Sequence, residues 1–155
     1  MFALFNKKKP AVLTSPVIGT SIHLEDVPDP VFAAKMMGDG IAFRFDDDTV
    51  FAPCDATVIL LPKTRHAVGL NFQGTEILIH VGLDTVNLNG KGFTCCVQIG
   101  DRVRRGDLLL KLDRQFMKEK NIDLTCPMII TSTSAEVCTA AVGNVDLNSV
   151  VIELR

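Results

Sequence analysis

The chain has 155 residues, 47 % of them apolar and 22 % charged, with a formal net charge of −2. That is the size of one domain with a substantial core, and it lacks the basic excess of a nucleic-acid binder. Trp and Tyr are absent and Phe is the only aromatic residue, so a platform for stacking bases or sugars has little to be built from.

The first ten residues, MFALFNKKKP, place Phe2, Leu4 and Phe5 before Lys7, Lys8 and Lys9. They lack the apolar core and cleavage site of a signal peptide. A short apolar face followed by lysines suits peripheral contact with an anionic membrane surface. Residues 1–14 are therefore read as an N-terminal extension, and residues 15–155 as a single domain. No apolar run approaches the roughly 20 residues of a membrane span.

From Ser15 onward, short apolar runs alternate with turn signals. SPVIGTSIHL, GIAFRF, TVFAP, ATVILL, HAVGLNF, TEILIHV, GFTCCVQI, DLLLKL, PMIITST and SVVIEL all read as strands. Only two segments read as helical. In DPVFAAKMMGDG, Asp29 caps, Pro30 takes the first helical position and Gly38 ends the helix. DRQFMKEKN allows two turns from about Asp113 to Lys120. Many short strands with one or two short helices predict an all-β fold, a barrel-like sandwich of antiparallel strands. The cysteines, Cys54, Cys95, Cys96, Cys126 and Cys138, are odd in number and show neither C-x-x-C nor zinc-finger spacing. They read as reduced thiols of a cytosolic protein.

There is faint internal repetition. SPVIGTSI at Ser15 and APCDATVI at Ala52 share a small-Pro-x-x-small-Thr-x-Ile pattern, and CPMIITST at Cys126 echoes its start. Such echoes suggest a pseudo-symmetric barrel of related strand pairs. GDRVRRGDLLLKLD resembles the turn of biotinyl and lipoyl carrier domains, without their lysine at a hairpin tip.

The chemistry centres on TEILIHVGLDTV. Read with period two, Ile77, Ile79, Val81 and Leu83 form a core face. Glu76, Leu78, His80 and Gly82 form the other face. His66 lies upstream across FQGT, and the two runs read as a hairpin. If the register centres on Gln73, His66 stands opposite His80, with Cβ atoms roughly 4.5–5.5 Å apart. If Gln73-Gly74 is a two-residue turn, the register slips by one and the histidines fall on opposite faces unless a bulge intervenes. In KTRHAV an extended chain puts Thr64 on the same side as His66, where its hydroxyl can accept from one ring nitrogen and hold the other free, which favours the first register. His23 has no partner spacing and reads as structural or exposed.

A histidine pair with an orienting hydroxyl suits a zinc site with His66 and His80 as ligands, or a phosphorylatable histidine with a helper. A catalytic zinc usually takes three protein ligands, and an H-x-H pattern is absent because residue 78 is Leu. A neutral imidazole beside a hydrogen-bond donor and an apolar rim makes phosphoryl transfer the sharper reading. A binding module that has lost phosphotransfer is the remaining alternative, although both histidines are retained.

Three segments in order, EDVPDPVFAAKMMGDGIAF, APCDATVILLPKTRHAV and GTEILIHVGLDTVNLNGKGF, resemble the glucose-type enzyme IIA domain of the bacterial phosphoenolpyruvate-dependent sugar phosphotransferase system. The likeness runs from about Ser15 to Arg155. It implies a barrel-like β-sandwich of the duplicated hybrid motif type. It implies that His80 is the phosphorylated nucleophile, that His66 stabilises the phosphoryl group and that Thr64 orients His66. It further implies phosphate uptake from HPr and delivery to an enzyme IIB domain of a sugar permease, with regulated proteins as additional partners in some members. No cofactor is required on this reading, with zinc at the two histidines as the alternative, and the location is cytoplasmic or peripheral at the inner membrane face. The chain is too short to include IIB or IIC, so it is either free-standing or a domain of a larger permease, and its lysine-rich start favours the former.

Phe32 and Met36, four apart, are expected to pack inward, with Val31 and Met37 at the rim. Because the resemblance sets this segment beside the active site, Val31, Phe32, Met36 and Met37 are candidates for docking. Gly82, Asp84 and Val86 of the HVGLDTV segment join them.

Overall fold

Apolar residues at alternate positions, broken by glycine- and aspartate-rich turns, give a chain of short strands. The computed structural model describes residues 11–155. Its strands are β1 (Ala11–Thr14), β2 (Gly19–His23), β3 (Asp39–Phe45), β4 (Thr49–Phe51), β5 (Ala56–Leu60), β6 (Ala67–Phe72) and β7 (Thr75–His80). They continue with β8 (Phe93–Cys95), β9 (Arg102–Val103), β10 (Leu108–Leu112), β11 (Cys126–Ser132), β12 (Val137–Thr139), β13 (Asn144–Val145) and β14 (Val150–Leu154). The two α-helices are α1 (Pro30–Ala33) and α2 (Arg114–Glu119). The fold is all-β and antiparallel, as the pattern of runs predicts.

One sheet has eight strands in the order β13-β2-β3-β11-β7-β6-β5-β9; two others have three strands each, β1-β14-β12 and β4-β10-β8. The inward faces meet in one large core that includes Phe43, Leu70, Ile77, Ile79, Leu109, Met128 and Ile152, all at most 1 % exposed. A second, smaller core contains Leu24, Val27, Phe32, Ala67, Leu78 and Leu83. Leu78 and His80 share a face of β7, so this small core prepares the ground on which the histidine stands.

Residues 11–14, assigned above to the extension, form strand β1. It pairs with β14, Ala11 opposite Leu154, and buries Leu13 and Thr14 completely. The alternation that identifies it is only four residues long and sits against Pro10, which is why the sequence pattern misses it. The short strands β9, β12 and β13 are also missed; two- and three-residue pairings are held by their neighbours and carry no periodicity of their own. The apolar-then-basic segment Phe2 to Lys9 lies outside the described residues. Among the described residues no helix is long and apolar enough to cross a membrane.

The sequence echoes correspond to a contact. The Thr14 N–H donates to the Pro53 carbonyl at 2.9 Å, and the Phe51 N–H donates to the Pro16 carbonyl at 2.8 Å. The two proline-bearing segments thus cross each other in reciprocal fashion. Helix α2 lies within the expected Asp113 to Lys120, and Asp113 caps it, its carboxylate accepting from the Phe116 N–H at 3.0 Å. Helix α1 starts as expected, with Asp29 capping Val31 at 2.9 Å. It ends early, after Ala33, not at Gly38. Lys35 adopts φ +56°, and its ammonium bridges Glu25 at 2.9 Å and Asp39 at 3.2 Å. A left-handed residue here turns Met36 outward, so the expected inward packing of Met36 does not occur; it is 73 % exposed.

Candidate functional site

The β6–β7 hairpin turns on two residues, Gln73 (φ +51°) and Gly74 (φ +89°), with Phe72 paired to Thr75. Two successive left-handed residues match the twist of the strands they join. Asn71 strengthens the turn by accepting from the Gly74 N–H at 3.0 Å. The register is therefore the two-residue one and not the favoured Gln73-centred one, because the two left-handed residues close the turn directly, and Ala67, not His66, stands opposite His80. A regular ladder would send His66 to the far face.

It does not go there, because His66 lies just outside β6. Residues 62–65 form a turn, closed by the Arg65 N–H donating to the Pro62 carbonyl at 2.9 Å, and Arg65 has φ +54°. The chain enters the strand from a corner, and the pleat does not dictate the direction of the His66 side chain. Its carbonyl still accepts from the Val81 N–H at 2.7 Å. The two imidazoles meet edge to face, with ring centroids 4.8 Å apart and planes inclined by 76°. The same corner brings Thr64 to His66: the Thr64 hydroxyl lies 2.7 Å from His66 Nδ1. A turn, rather than the extended chain assumed from KTRHAV, makes that contact.

His80 is held from three sides. Its Nδ1 is 2.8 Å from the Gly82 carbonyl. As a carbonyl only accepts, Nδ1 carries the proton, and the lone pair of Nε2 is free. The Phe32 ring packs against the imidazole at 4.9 Å, inclined by 60°, and is itself buried. Burial, and then the neighbouring His66, push the His80 pKa down to about 4; the Gly82 carbonyl, Asp29 and Asp84 oppose this. Burial also lowers the pKa of His66, with the Thr64 backbone opposing. Both rings are thus held neutral at pH 7.

The core face read from TEILIHVGLDTV holds through Val81: Ile77, Ile79 and Val81 lie in the large core. It fails at Leu83, which joins the small core instead. Gly82 is the cause, with φ +85° and no room for a side chain; a Cβ there would meet Thr85 Cγ2 at 2.4 Å. Asp84 is left-handed as well (φ +56°), and the Thr85 hydroxyl donates to the Val81 carbonyl at 2.7 Å. This loop brings the Gly82 carbonyl back under His80 and leaves Val86 exposed.

Among the proposed rim residues, Val31, Met36, Met37 and Val86 are exposed apolar side chains, whereas Phe32 is buried beneath His80. Two more, Ile59 and Leu60, are also exposed. With Met37 they surround a small concavity of about 190 Å3 floored by Gly69 and Leu78. Within ATVILL nothing but strand character marks them. A signal lay in Gly69: a side chain there would strike the Leu60 Cβ at 2.6 Å, so the glycine lets Leu60 lie over the strand. His23 is exposed and apart from the pair. Among the described residues no group of three or more His, Cys, Asp or Glu converges, so the two histidines have no third protein ligand for zinc.

An all-β domain with two apposed neutral imidazoles, one packed on a buried phenylalanine, has the build of a phosphoryl carrier. Residues 11–136 match the family described as phosphoenolpyruvate-dependent sugar phosphotransferase system, EIIA 1. The chain is 41 % identical over 136 residues to the glucose-specific EIIA component of Bacillus cereus, covering 87 % of this chain and 82 % of that protein. It is also 41 % identical over 146 residues to the glucose-specific EIIBCA component of Corynebacterium glutamicum, spanning 92 % of this chain but 22 % of that longer protein. The glucose permease IIA from Mycoplasma capricolum superimposes with a TM-score of 0.89 at 33 % identity, over 96 % of this chain and 97 % of that one. The chain belongs to the EIIA 1 family and is a phosphocarrier component of a sugar phosphotransferase system.

Proposed function

We propose that His80 accepts a phosphoryl group on Nε2 from the phosphohistidine of HPr and passes it to an enzyme IIB domain of a sugar permease. The observation that carries this reading is the 2.8 Å contact of His80 Nδ1 with the Gly82 carbonyl. It leaves Nε2 as the nucleophile in a ring kept neutral by burial. In the transfer, the Nε2 lone pair forms a bond to phosphorus while the P–N bond of the donor breaks. The Nδ1 proton stays on His80, where the Gly82 carbonyl offsets part of the positive charge left on the ring by phosphorylation.

His66 acts on the phosphoryl oxygens. In the tautomer in which the Thr64 hydroxyl, 2.7 Å away, donates to its Nδ1, His66 carries its proton on Nε2 and donates from there. Phe32 and the exposed Val31, Met37 and Val86 exclude water from the labile P–N bond once a partner docks. The fusion of EIIA with EIIB and EIIC components in relatives such as the Corynebacterium glutamicum protein supports a permease IIB domain as acceptor. No metal or cofactor enters this scheme. When His80 is unphosphorylated, the same apolar face is open to regulated proteins.

Incubation with phosphoenolpyruvate, enzyme I and HPr, followed by intact mass measurement, tests the reading. A gain of one acid-labile phosphoryl group, mapped to the peptide containing His80, is the expected result. An unchanged mass rejects it.

A further inference from the structure

A second concavity lies behind the loop that follows His80. It opens between the end of β3, helix α2 and the segment 122–125 leading into β11, and has a volume of about 700 Å3. That is within the range of sites that hold small organic molecules. The carbonyls of Asp123 and Thr125 on its wall accept from the N–H groups of Leu83 and Gly82 at 2.9 and 3.1 Å. The cleft therefore backs onto the turn beneath His80, but neither histidine lines it.

Its charges are unbalanced. Arg44, Arg114 and Lys118 all reach the cleft, and no ion pair among the described residues engages any of them. Asp123 is the one acid of the lining, and its Oδ1 is occupied by the Thr125 N–H at 2.8 Å and the Thr125 hydroxyl at 2.6 Å. Arg114 is held in a fixed orientation. Its Nε donates to the Asp47 carbonyl at 2.5 Å, its Nη2 to the Phe45 carbonyl, and its guanidinium lies 4.8 Å over the Phe45 ring. Nη1 has no protein partner among the described residues. Asp46, Asp47 and Asp48 act on Arg114 from outside the cleft lining, but none pairs with it; oriented by carbonyls, the guanidinium keeps Nη1 available to a ligand. Phe45, Met117 and Leu124 supply apolar wall beside the three cations.

We propose that this cleft binds a small phosphomonoester. The phosphate dianion is met by Arg44, Arg114 and Lys118, and the organic body rests on Phe45, Met117 and Leu124. Three cations with which no carboxylate of the described residues pairs match a dianion better than a single carboxylate, and the apolar wall selects an ester over free phosphate.

Amide chemical shifts of the full chain, titrated at low ionic strength and constant pH with phenyl phosphate, glucose 6-phosphate and inorganic phosphate, test the assignment. At least one ester should give saturable shifts at Arg44, at residues 114–118 and at residues 122–125, and should bind more tightly than inorganic phosphate. The double variant Arg44→Gln/Lys118→Gln removes two exposed cations without touching the core. It should weaken binding by about tenfold or more, as for the loss of charged hydrogen bonds. Arg114→Lys, which keeps the charge and loses the fork, should also weaken it; if that variant does not fold, the double variant carries the test alone. Shifts that fail to saturate, that are unchanged in the double variant or that are confined to the surroundings of His66 and His80 overturn the proposal. Inorganic phosphate binding as tightly as both esters overturns the assignment of an organic body.

Discussion

The Nδ1 of His80 lies 2.8 Å from the carbonyl of Gly82, two residues further along the same chain. A regular strand cannot make this contact, since residues i and i+2 point the same way and their backbones run on in parallel. It exists because Gly82 takes φ +85°. A main-chain conformation thus decides which nitrogen of the imidazole is free.

The two histidines should fail differently on the proposed assignment. His80→Ala leaves no acceptor, so intact mass after incubation with phosphorylated HPr should show no phosphorylated species. His66→Ala removes a donor to the phosphoryl oxygens and should still accept phosphate, roughly a hundredfold more slowly. His66→Gln keeps an N–H and should be faster than His66→Ala. Quench-flow rates in both directions check the order, because one transition state serves uptake and delivery. Acid-labile phosphate mapped to a peptide containing His66 in the wild-type protein would overturn the assignment.

Gly82→Ala should destabilise the domain by about 1–3 kcal/mol, from the strain of φ +85° and the approach to Thr85. It should also slow phosphate uptake, because the displaced carbonyl no longer fixes His80. Ring 15N chemical shifts separate the two effects. In wild type they should show a proton on Nδ1 of His80, and in the variant a mixture of tautomers. A variant with the wild-type tautomer and slow transfer would dissociate the carbonyl from the chemistry.

The low pKa of His80 has a measurable sign. Its value in the folded protein, about 4, is below the ordinary 6.5. Between these values the unfolded chain binds the proton and the folded one does not, so stability falls as pH drops from about 6.5 towards about 4. Below that range this group adds no further slope. Urea unfolding at several pH values should show the trend, and His80→Gln should flatten it. An NMR titration of the His80 ring with a midpoint near 6.5 would contradict the burial argument.

Docking should depend on apolar side chains that contribute little to the fold. Met37 and Leu60 are 39 % and 47 % exposed and face the same small concavity. Met37→Asp and Leu60→Asp should leave the urea midpoint nearly unchanged and reduce the rate of phosphate uptake from HPr by tenfold or more, on the order of 1.4 kcal/mol per decade. Normal rates in a folded variant would remove that residue from the interface.

Phe32 should behave as structure rather than as docking surface. It is 5 % exposed and lies against the His80 ring. Phe32→Ala should cost about 3–5 kcal/mol by opening a cavity in the small core. It should also raise the pKa of His80 by letting water reach the ring. Thermal unfolding and the His80 titration check both effects.

The sequence by itself determined the local elements. The alternation in TEILIH and the Asp29 cap are properties of neighbouring residues, and each has the role its pattern implies, whereas the Gln73-Gly74 turn sets the register opposite to the one Thr64 favoured. The echo of the Pro16 and Pro53 segments was legible, but their reciprocal contact appears only in the fold. Strand β1 was not legible, because four residues become a strand only when β14 offers its edge. The histidine pair was decided by tertiary structure. The hairpin register alone would separate His66 from His80, and only the corner at Arg65, outside the strand, brings the rings together. The outward turn of Met36, the exposure of Ile59 and Leu60 and the burial of Phe32 under the imidazole have the same origin. Periodicity assigns a residue to a face, but what covers that face is set by segments distant in sequence, here the turn after Ala33 and the glycine at position 69 across the strand.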